Sequence, residues 1–310
     1  MKIFITGAEG FVGRHLFNAL SCRNHEVYGG YFIKDGDDSF FKNHDKNLLF
    51  LDITKREETI DLVREIGPDA VVHLAAVSFV PDGKKDPYNI ILTNIYGTQN
   101  IISSVESLQK PCSFLFASSG EIYGSLKTNQ IIAETTPAGP KNLYAVTKLT
   151  GEYLALQSGI NPVILRLFNH TGKGQRTDFV LPSFAKQIAS IGRKGPGELR
   201  VGNLESFKDF LDIRDVVEAY VKAIEDPVPG IFNVCSGNTC RLYDIVMKMI
   251  KSAKAEIKIT VDKTRFRKND GGYFTASNSK FSSAFGWKPV YSIDDTIESL
   301  IKYYRYKEDI

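Results

Sequence analysis

Residues 3 to 13, Ile-Phe-Ile-Thr-Gly-Ala-Glu-Gly-Phe-Val-Gly, carry a short apolar strand into three glycines and a helix. No other stretch constrains the chain as much, because three backbone demands coincide there. The strand must stop abruptly, the backbone must approach an anion closely, and a helix N-terminus must turn its free N–H groups toward that anion. Gly7 permits the tight turn, Gly10 removes a Cβ that would meet the phosphates, and Gly13 lets the helix pack on the strand. The spacing is Gly-x-x-Gly-x-x-Gly, one residue longer in its first gap than the usual fingerprint. Three glycines alone would signify only a turn. With Lys2–Thr6 as the strand and a helix-period apolar pattern from Val12 to Leu20, they read as a dinucleotide site.

Strand and helix signals then alternate. Strands are expected at Glu26–Phe32, Leu48–Leu51, Ala70–Leu74, Ser113–Ala117 and Val163–Leu167, and helices at Arg56–Ile66, Asn89–Leu108 and Asn142–Gln157. Residues 34–47, polar and glycine-containing, read as a loop. Wholly apolar strands separated by helices imply an α/β fold, a Rossmann doubly wound parallel sheet covered on both faces. After Phe168 the rhythm changes. A helix is expected at Phe179–Ile191, short strands at Leu199–Gly202 and Phe207–Leu211, a return strand at Gly230–Val234 and a helix at Leu242–Ala253. The expected division is a Rossmann domain of residues 1–168 plus about 207–235, interleaved with a smaller C-terminal substrate lobe of 169–206 and 236–310.

Composition narrows the function. A net charge of +3 over 310 residues is small, which argues against a nucleic-acid partner. The 4 cysteines form no Cys-x-x-Cys pair and the 5 histidines no His-x-x-x-His pair, so neither a disulfide framework nor a metal is expected. No apolar run approaches the roughly 20 residues that span a bilayer, and no basic-then-apolar leader precedes the first strand. The expectation is a cytoplasmic protein without a membrane partner.

Tyr144 and Lys148 stand four residues apart on the 142–157 helix, hence on one face. A free tyrosine titrates near 10, and a neighbouring ammonium can lower that by about 1–3 units. Lys148 could do so while holding a nicotinamide ribose, and Ser119, beyond the 113–117 strand, could hydrogen-bond a substrate carbonyl. The competing reading is a solvated helix carrying a tyrosine and a lysine by coincidence. The pair gains meaning from the glycine turn and from a serine at a strand end.

TGAEGFVG, LDIT (51–54), HLAA (73–76), SSGEIYG (118–124) and YAVTK (144–148) together resemble the extended short-chain dehydrogenase/reductase family over essentially the whole chain. The resemblance implies that Ser119, Tyr144 and Lys148 form the catalytic set. It also implies a dinucleotide held by Gly7, Gly10, Phe11, Val12, Gly13, Asp52, Ile53, Leu74, Ala75, Ala76, Tyr144 and Lys148. Asp52 and Ile53 would flank the adenine. A homodimer would form through the 89–108 and 142–157 helices. The second strand ends Gly29-Gly30-Tyr31-Phe32-Ile33-Lys34, with neither the ribose-binding acid of NAD sites nor an arginine. NADPH and NADH both stay open. Lys34 could meet a 2′-phosphate or be a loop charge, and the balance tilts to NADPH.

RLFNHTGKGQRTDFVLPSFAKQIA (166–189), VGNLESFKDFLDIRDVVEAY (201–220), RFRKND (265–270), SNSK (277–280) and GWKP (286–289) resemble the GDP-mannose-derived branch. Within that branch the likeness is greatest to the GDP-6-deoxy-4-keto-D-mannose reductases, with the GDP-mannose 4,6-dehydratases as cousins. It implies substrate contacts from Ser78, Ser119, Gly120, Glu121, Asn169 and Val180, and a sugar diphosphate met by Lys186, Lys208 and Arg267. Members carry arginine where Lys208 stands and proline where Lys268 stands; lysine keeps the charge but loses the bidentate fork. The implied reaction is reduction of a GDP-linked 4-keto-6-deoxyhexose at C4, giving a GDP-6-deoxyhexose such as GDP-D-rhamnose for surface polysaccharide. A 4,6-dehydratase needs an acid/base pair beside the serine, and here Ser119-Gly120-Glu121 has glycine in the middle. Glu121 keeps elimination open, and a turn hydrogen bond is its other reading. The alternatives are a 4,6-dehydratase or 4-epimerase, or a dinucleotide-sensing regulator without catalysis.

Overall fold

The computed structural model describes residues 1–33, 38–79, 85–124, 129–262 and 273–307. Its strands begin β1 (Lys2–Thr6), β2 (Glu26–Tyr31), β3 (Leu48–Phe50), β4 (Ala70–His73), β5 (Ser113–Ser119), β6 (Gln130–Ile132) and β7 (Val163–Leu167). They continue as β8 (Asn169–Thr171), β9 (Gly197–Val201), β10 (Phe207–Asp212), β11 (Gly230–Val234), β12 (Thr239–Arg241), β13 (Ile257–Val261) and β14 (Phe274–Ala276).

Seven strands form one parallel sheet in the order β3-β2-β1-β4-β5-β7-β11. Every residue of β4 and β7 is buried, as a central strand covered on both faces requires. Alternation divides β1 between two cores. Ile3 and Ile5 pack with Leu16, Phe17, Leu20 and Val216, while Phe4 points the other way to Val63, Val71, Ile101 and Phe114. Each such buried side chain contributes about 1.5–3 kcal/mol. The strand order reverses between β1 and β4, which opens a crevice at their C-terminal ends.

A second core gathers the helices Val180–Lys194, Leu242–Ala253 and Ile293–Lys307 around Ile188, Leu199, Val246, Met249 and Leu300. The 207–235 segment divides between the two bodies. β10 pairs with β8 and β12 in a three-stranded sheet, whereas β11 extends the large sheet and the Ile213–Glu225 helix packs in its core. Near the C-terminus, Phe281, Phe285 and Trp287 join the large-sheet core rather than the lobe. An aromatic cluster with Phe232 draws them there.

Two local expectations change. The 34–47 stretch contains a helix, Asp38–Asn43, because Phe40 and Phe41 anchor it against Phe17 and Tyr31. The long helix expected over 89–108 is Pro87–Ile91 and Thr98–Glu106 joined by a π turn, Leu92–Gly97. Asp86 caps its start by accepting the Asn89 N–H at 3.0 Å.

Candidate active site

The crevice is one continuous cleft of about 2720 Å³. A single small-molecule site is roughly 300–1,000 Å³, so this one has room for two extended ligands. Its inner wall is the glycine turn. Gly7 has φ +69°, and a Cβ there would lie 2.8 Å from the backbone of Ala75. A Cβ on Gly13 would lie 2.3 Å from the Gly7 carbonyl oxygen and 2.8 Å from Ala8. Gly13 thus lets the helix pack on the turn itself, a closer partner than the strand expected from sequence. This bare-backbone cradle is shaped for a pyrophosphate.

Gly10, Phe11, Val12, Asp52, Ile53, Leu74, Ala75 and Ala76 line the same end of the cleft. Asp52 is partly engaged, its Oδ1 accepting the Thr54 N–H at 3.0 Å and hydroxyl at 2.7 Å. Ile53 is buried beneath Gly97.

Deeper in, Asn142 caps the Leu143–Gln157 helix by accepting the Ala145 N–H at 2.8 Å. That cap sets Tyr144 in the first turn and Lys148 one turn later, both facing the cleft. Ser119 ends β5, accepts the Glu121 N–H at 3.1 Å and faces the same cleft as the Tyr144 phenol. Burial pushes Tyr144 up to about 12, opposed by Ser119 and assisted by the Glu121 charge. Burial also pulls Lys148 down to about 8, and among the described residues it has no carboxylate partner. The expected acidification of Tyr144 by Lys148 is therefore not what this structure shows. Desolvation of the phenol outweighs any help from the amine, which itself sits against the Phe116 ring at 5.0 Å.

Two polar networks hold these groups. Thr6 Oγ1 meets His73 Nδ1 at 2.7 Å, and His73 Nε2 meets Thr98 Oγ1 at 3.0 Å. Thr98 donates to the Asn94 carbonyl, Asn94 Nδ2 donates to Thr147 Oγ1, and Thr147 Oγ1 donates to the Tyr144 carbonyl. The π turn is what brings Asn94 inward. His73, pushed down to about 3 by burial and then by Lys148, stays neutral. Behind Ser119, Arg166 makes a buried ion pair with Glu152 at 2.7 Å, and Ser118 donates to the same carboxylate.

The outer wall belongs to the lobe. Asn169 on β8, Val180, Lys186 and Lys208 all face the cleft, as do Ser78, Gly120 and Glu121 on the opposite side. Among the described residues neither Lys186 nor Lys208 has an acidic partner, so both cations are available to an anionic ligand. Glu121 accepts from Asn142 Nδ2 at 3.1 Å. A Cβ at Gly120 would come 3.1 Å from the Phe168 ring, so that ring fills the space a larger side chain would need. Arg267, Lys268 and Lys34 lie outside the described residues.

Sequence reading missed Glu9 and Tyr220, which also line the cleft. Glu9 Oε2 and the Tyr220 hydroxyl are buried without a hydrogen-bond partner, as groups awaiting a ligand would be. Only their position within TGAEGFVG and VVEAY hinted at them. Among the described residues no cluster of His, Cys, Asp and Glu is placed to hold a metal ion. No helix of the described residues is long and apolar enough to cross a membrane.

The family model described as GDP-mannose 4,6 dehydratase matches residues 4–300. The chain is 32% identical to the GDP-6-deoxy-D-mannose reductase of Pseudomonas aeruginosa over 97% of this chain and 96% of that one. It is 27% identical to the GDP-6-deoxy-D-talose 4-dehydrogenase of Aggregatibacter actinomycetemcomitans, covering 92% of each. Among solved structures, RMD from Pseudomonas aeruginosa complexed with NADPH is similar, with a TM-score of 0.85, 29% identity and 99% of both chains covered.

Proposed function

The chain belongs to the GDP-mannose 4,6-dehydratase family, a branch of the extended short-chain dehydrogenases/reductases, and on that footing we propose an NAD(P)H-dependent reductase acting at sugar C4 of a GDP-linked 4-keto-6-deoxyhexose. The observation that carries this reading is that Ser119, Tyr144 and Lys148 line one cleft with the glycine turn on one wall and the lobe on the other. A reduced nicotinamide, held between the glycine turn and Lys148, would supply the hydride for the carbonyl carbon. Everything else falls to the chain. Ser119 orients the keto oxygen, and Tyr144 passes its phenolic proton to that oxygen as it becomes an alkoxide. Lys148, one helical turn on and facing the same cleft, would hold the ribose hydroxyls. Lys186 and Lys208 meet the sugar diphosphate.

Burial keeps the Tyr144 phenol protonated at neutral pH. A phenol that stays protonated at neutral pH is ready to donate to an alkoxide, a far stronger base. The Phe168 ring fills the space a larger side chain at position 120 would need, while Glu121 beside it lines the cleft and keeps the elimination alternative open.

Mixing the protein with GDP-4-keto-6-deoxymannose and NADPH or NADH, following the reduced nicotinamide absorbance and identifying the sugar by NMR tests this reading. Stoichiometric oxidation with a GDP-6-deoxyhexose product is expected. Sugar transformation without net nicotinamide turnover would replace it with the dehydratase or epimerase reading. Tyr144→Phe should abolish turnover while dinucleotide binding persists; unchanged turnover would refute the role.

The product fits polysaccharide synthesis in the cytoplasm, where the free cysteines Cys22, Cys112, Cys235 and Cys240 would stay reduced. The two helices expected to pair in a homodimer leave Tyr96, Val146, Tyr153 and Leu156 exposed, and light scattering at twice the chain mass would support that assembly.

A further inference from the structure

The end of β2 lacks the acid by which many dinucleotide sites hold the adenosine ribose; Tyr31, Phe32 and Ile33 stand there instead. A carboxylate is present all the same, brought from another element. Glu9 lies inside the glycine turn, two residues after Gly7, and reaches across to the first residue beyond β2. Its Oε1 accepts the Phe32 N–H at 2.9 Å. Glu9, Phe32 and Ile33 line the dinucleotide end of the cleft together. The second carboxylate oxygen, Oε2, is shut away from solvent and has no donor. Leaving a carboxylate oxygen in that state is costly, and a hydroxyl delivered by a ligand would relieve it. Burial pushes the carboxyl upward, while backbone N–H groups and the Arg14 charge favour its ionised form.

We propose that Glu9 is the ribose-recognising acid of this chain, its carboxylate accepting the adenosine 2′-hydroxyl and so selecting NADH over NADPH. A 2′-phosphate would bring two negative charges against an acid already withdrawn from water. The inference rests on the proposed function only in requiring a bound dinucleotide. It reverses the tilt to NADPH suggested by the missing acid after β2. Local sequence hides the arrangement, because Glu9 and Phe32 are 23 residues apart and meet only through the pairing of β1 with β2.

Equilibrium binding to the intact protein tests it without turnover. NADH and NADPH would be titrated by fluorescence, and ADP and 2′,5′-ADP, which carry no nicotinamide, by calorimetry. The parent should bind NADH over NADPH, and ADP over 2′,5′-ADP, by on the order of tenfold or more. Glu9→Gln keeps the side-chain size and an acceptor for Phe32 but drops the charge, and should bring each ratio to within about threefold. Glu9→Ser is the second variant, with circular dichroism confirming the fold of both. A parent ratio near one or favouring the phosphorylated ligands, or a ratio unmoved in both variants, overturns the inference. If the ratios come out as expected but neither reduced cofactor supports reduction of the keto sugar, the proposed function fails and the role of Glu9 stands.

Discussion

Glu152→Gln perturbs the buried ion pair behind the candidate catalytic groups. Glu152 and Arg166 are 2% and 7% exposed at their side chains, and the guanidinium meets both carboxylate oxygens, through Nε at 3.0 Å and Nη2 at 2.7 Å. Nη1 continues the network to the Tyr123 hydroxyl at 2.9 Å and the Glu134 carbonyl at 3.1 Å. Glutamine keeps the volume but turns an amide donor toward a guanidinium that has only donors. Breaking a buried pair by altering one partner costs about 3–5 kcal/mol. Unfolding entropy of about 2.1 cal/mol/K per residue gives roughly 0.65 kcal/mol/K for a chain of 310 residues, so the midpoint should fall by about 5–8 °C. Thermal melts followed by circular dichroism measure this. The companion change Arg166→Met should cost a similar amount, and the double variant should lose clearly less than the sum. A drop under about 1 °C for Glu152→Gln, or full additivity in the cycle, would refute the reasoning.

Three further outcomes are expected. Lys148 titrates lower in the folded chain, about 8 against 10.5, so the folded state holds that proton less firmly; the resulting destabilisation is complete below pH 8 and is relieved as pH rises from 8 toward 10.5. Lys148→Met should therefore unfold at higher urea than the parent at pH 7, with the gap closing by pH 10, while losing turnover. Gly13→Ala, whose Cβ would meet backbone at 2.3 Å, should displace the turn and weaken ADP binding by on the order of tenfold, measured by calorimetry. Lys208→Ala should raise the KM for the GDP-sugar by about tenfold with little change in kcat, and an unchanged KM would remove it from the diphosphate site.

Much of this architecture is legible in the one-dimensional pattern. The glycine spacing announces the β1 turn, wholly apolar runs announce buried parallel strands, and a four-residue interval places Tyr144 and Lys148 on one helical face. Those features depend on local backbone geometry and periodicity, which neighbouring residues specify. Other features depend on distant partners. The π turn that seats Asn94, the allocation of β10 to the small sheet, and the meeting of Glu9 with Phe32 arise only when separate elements pack. The same holds for the titration of the central tyrosine. Its spacing from Lys148 suggests an acidified phenol, yet it stands at about 12, because desolvation sums over everything the fold packs around the group. Sequence placed Ser119, Tyr144 and Lys148 at the cleft; the tertiary structure added Glu9 and Tyr220 and decided charge states and partners, since electrostatic environment is set by three-dimensional neighbours and by the exclusion of water.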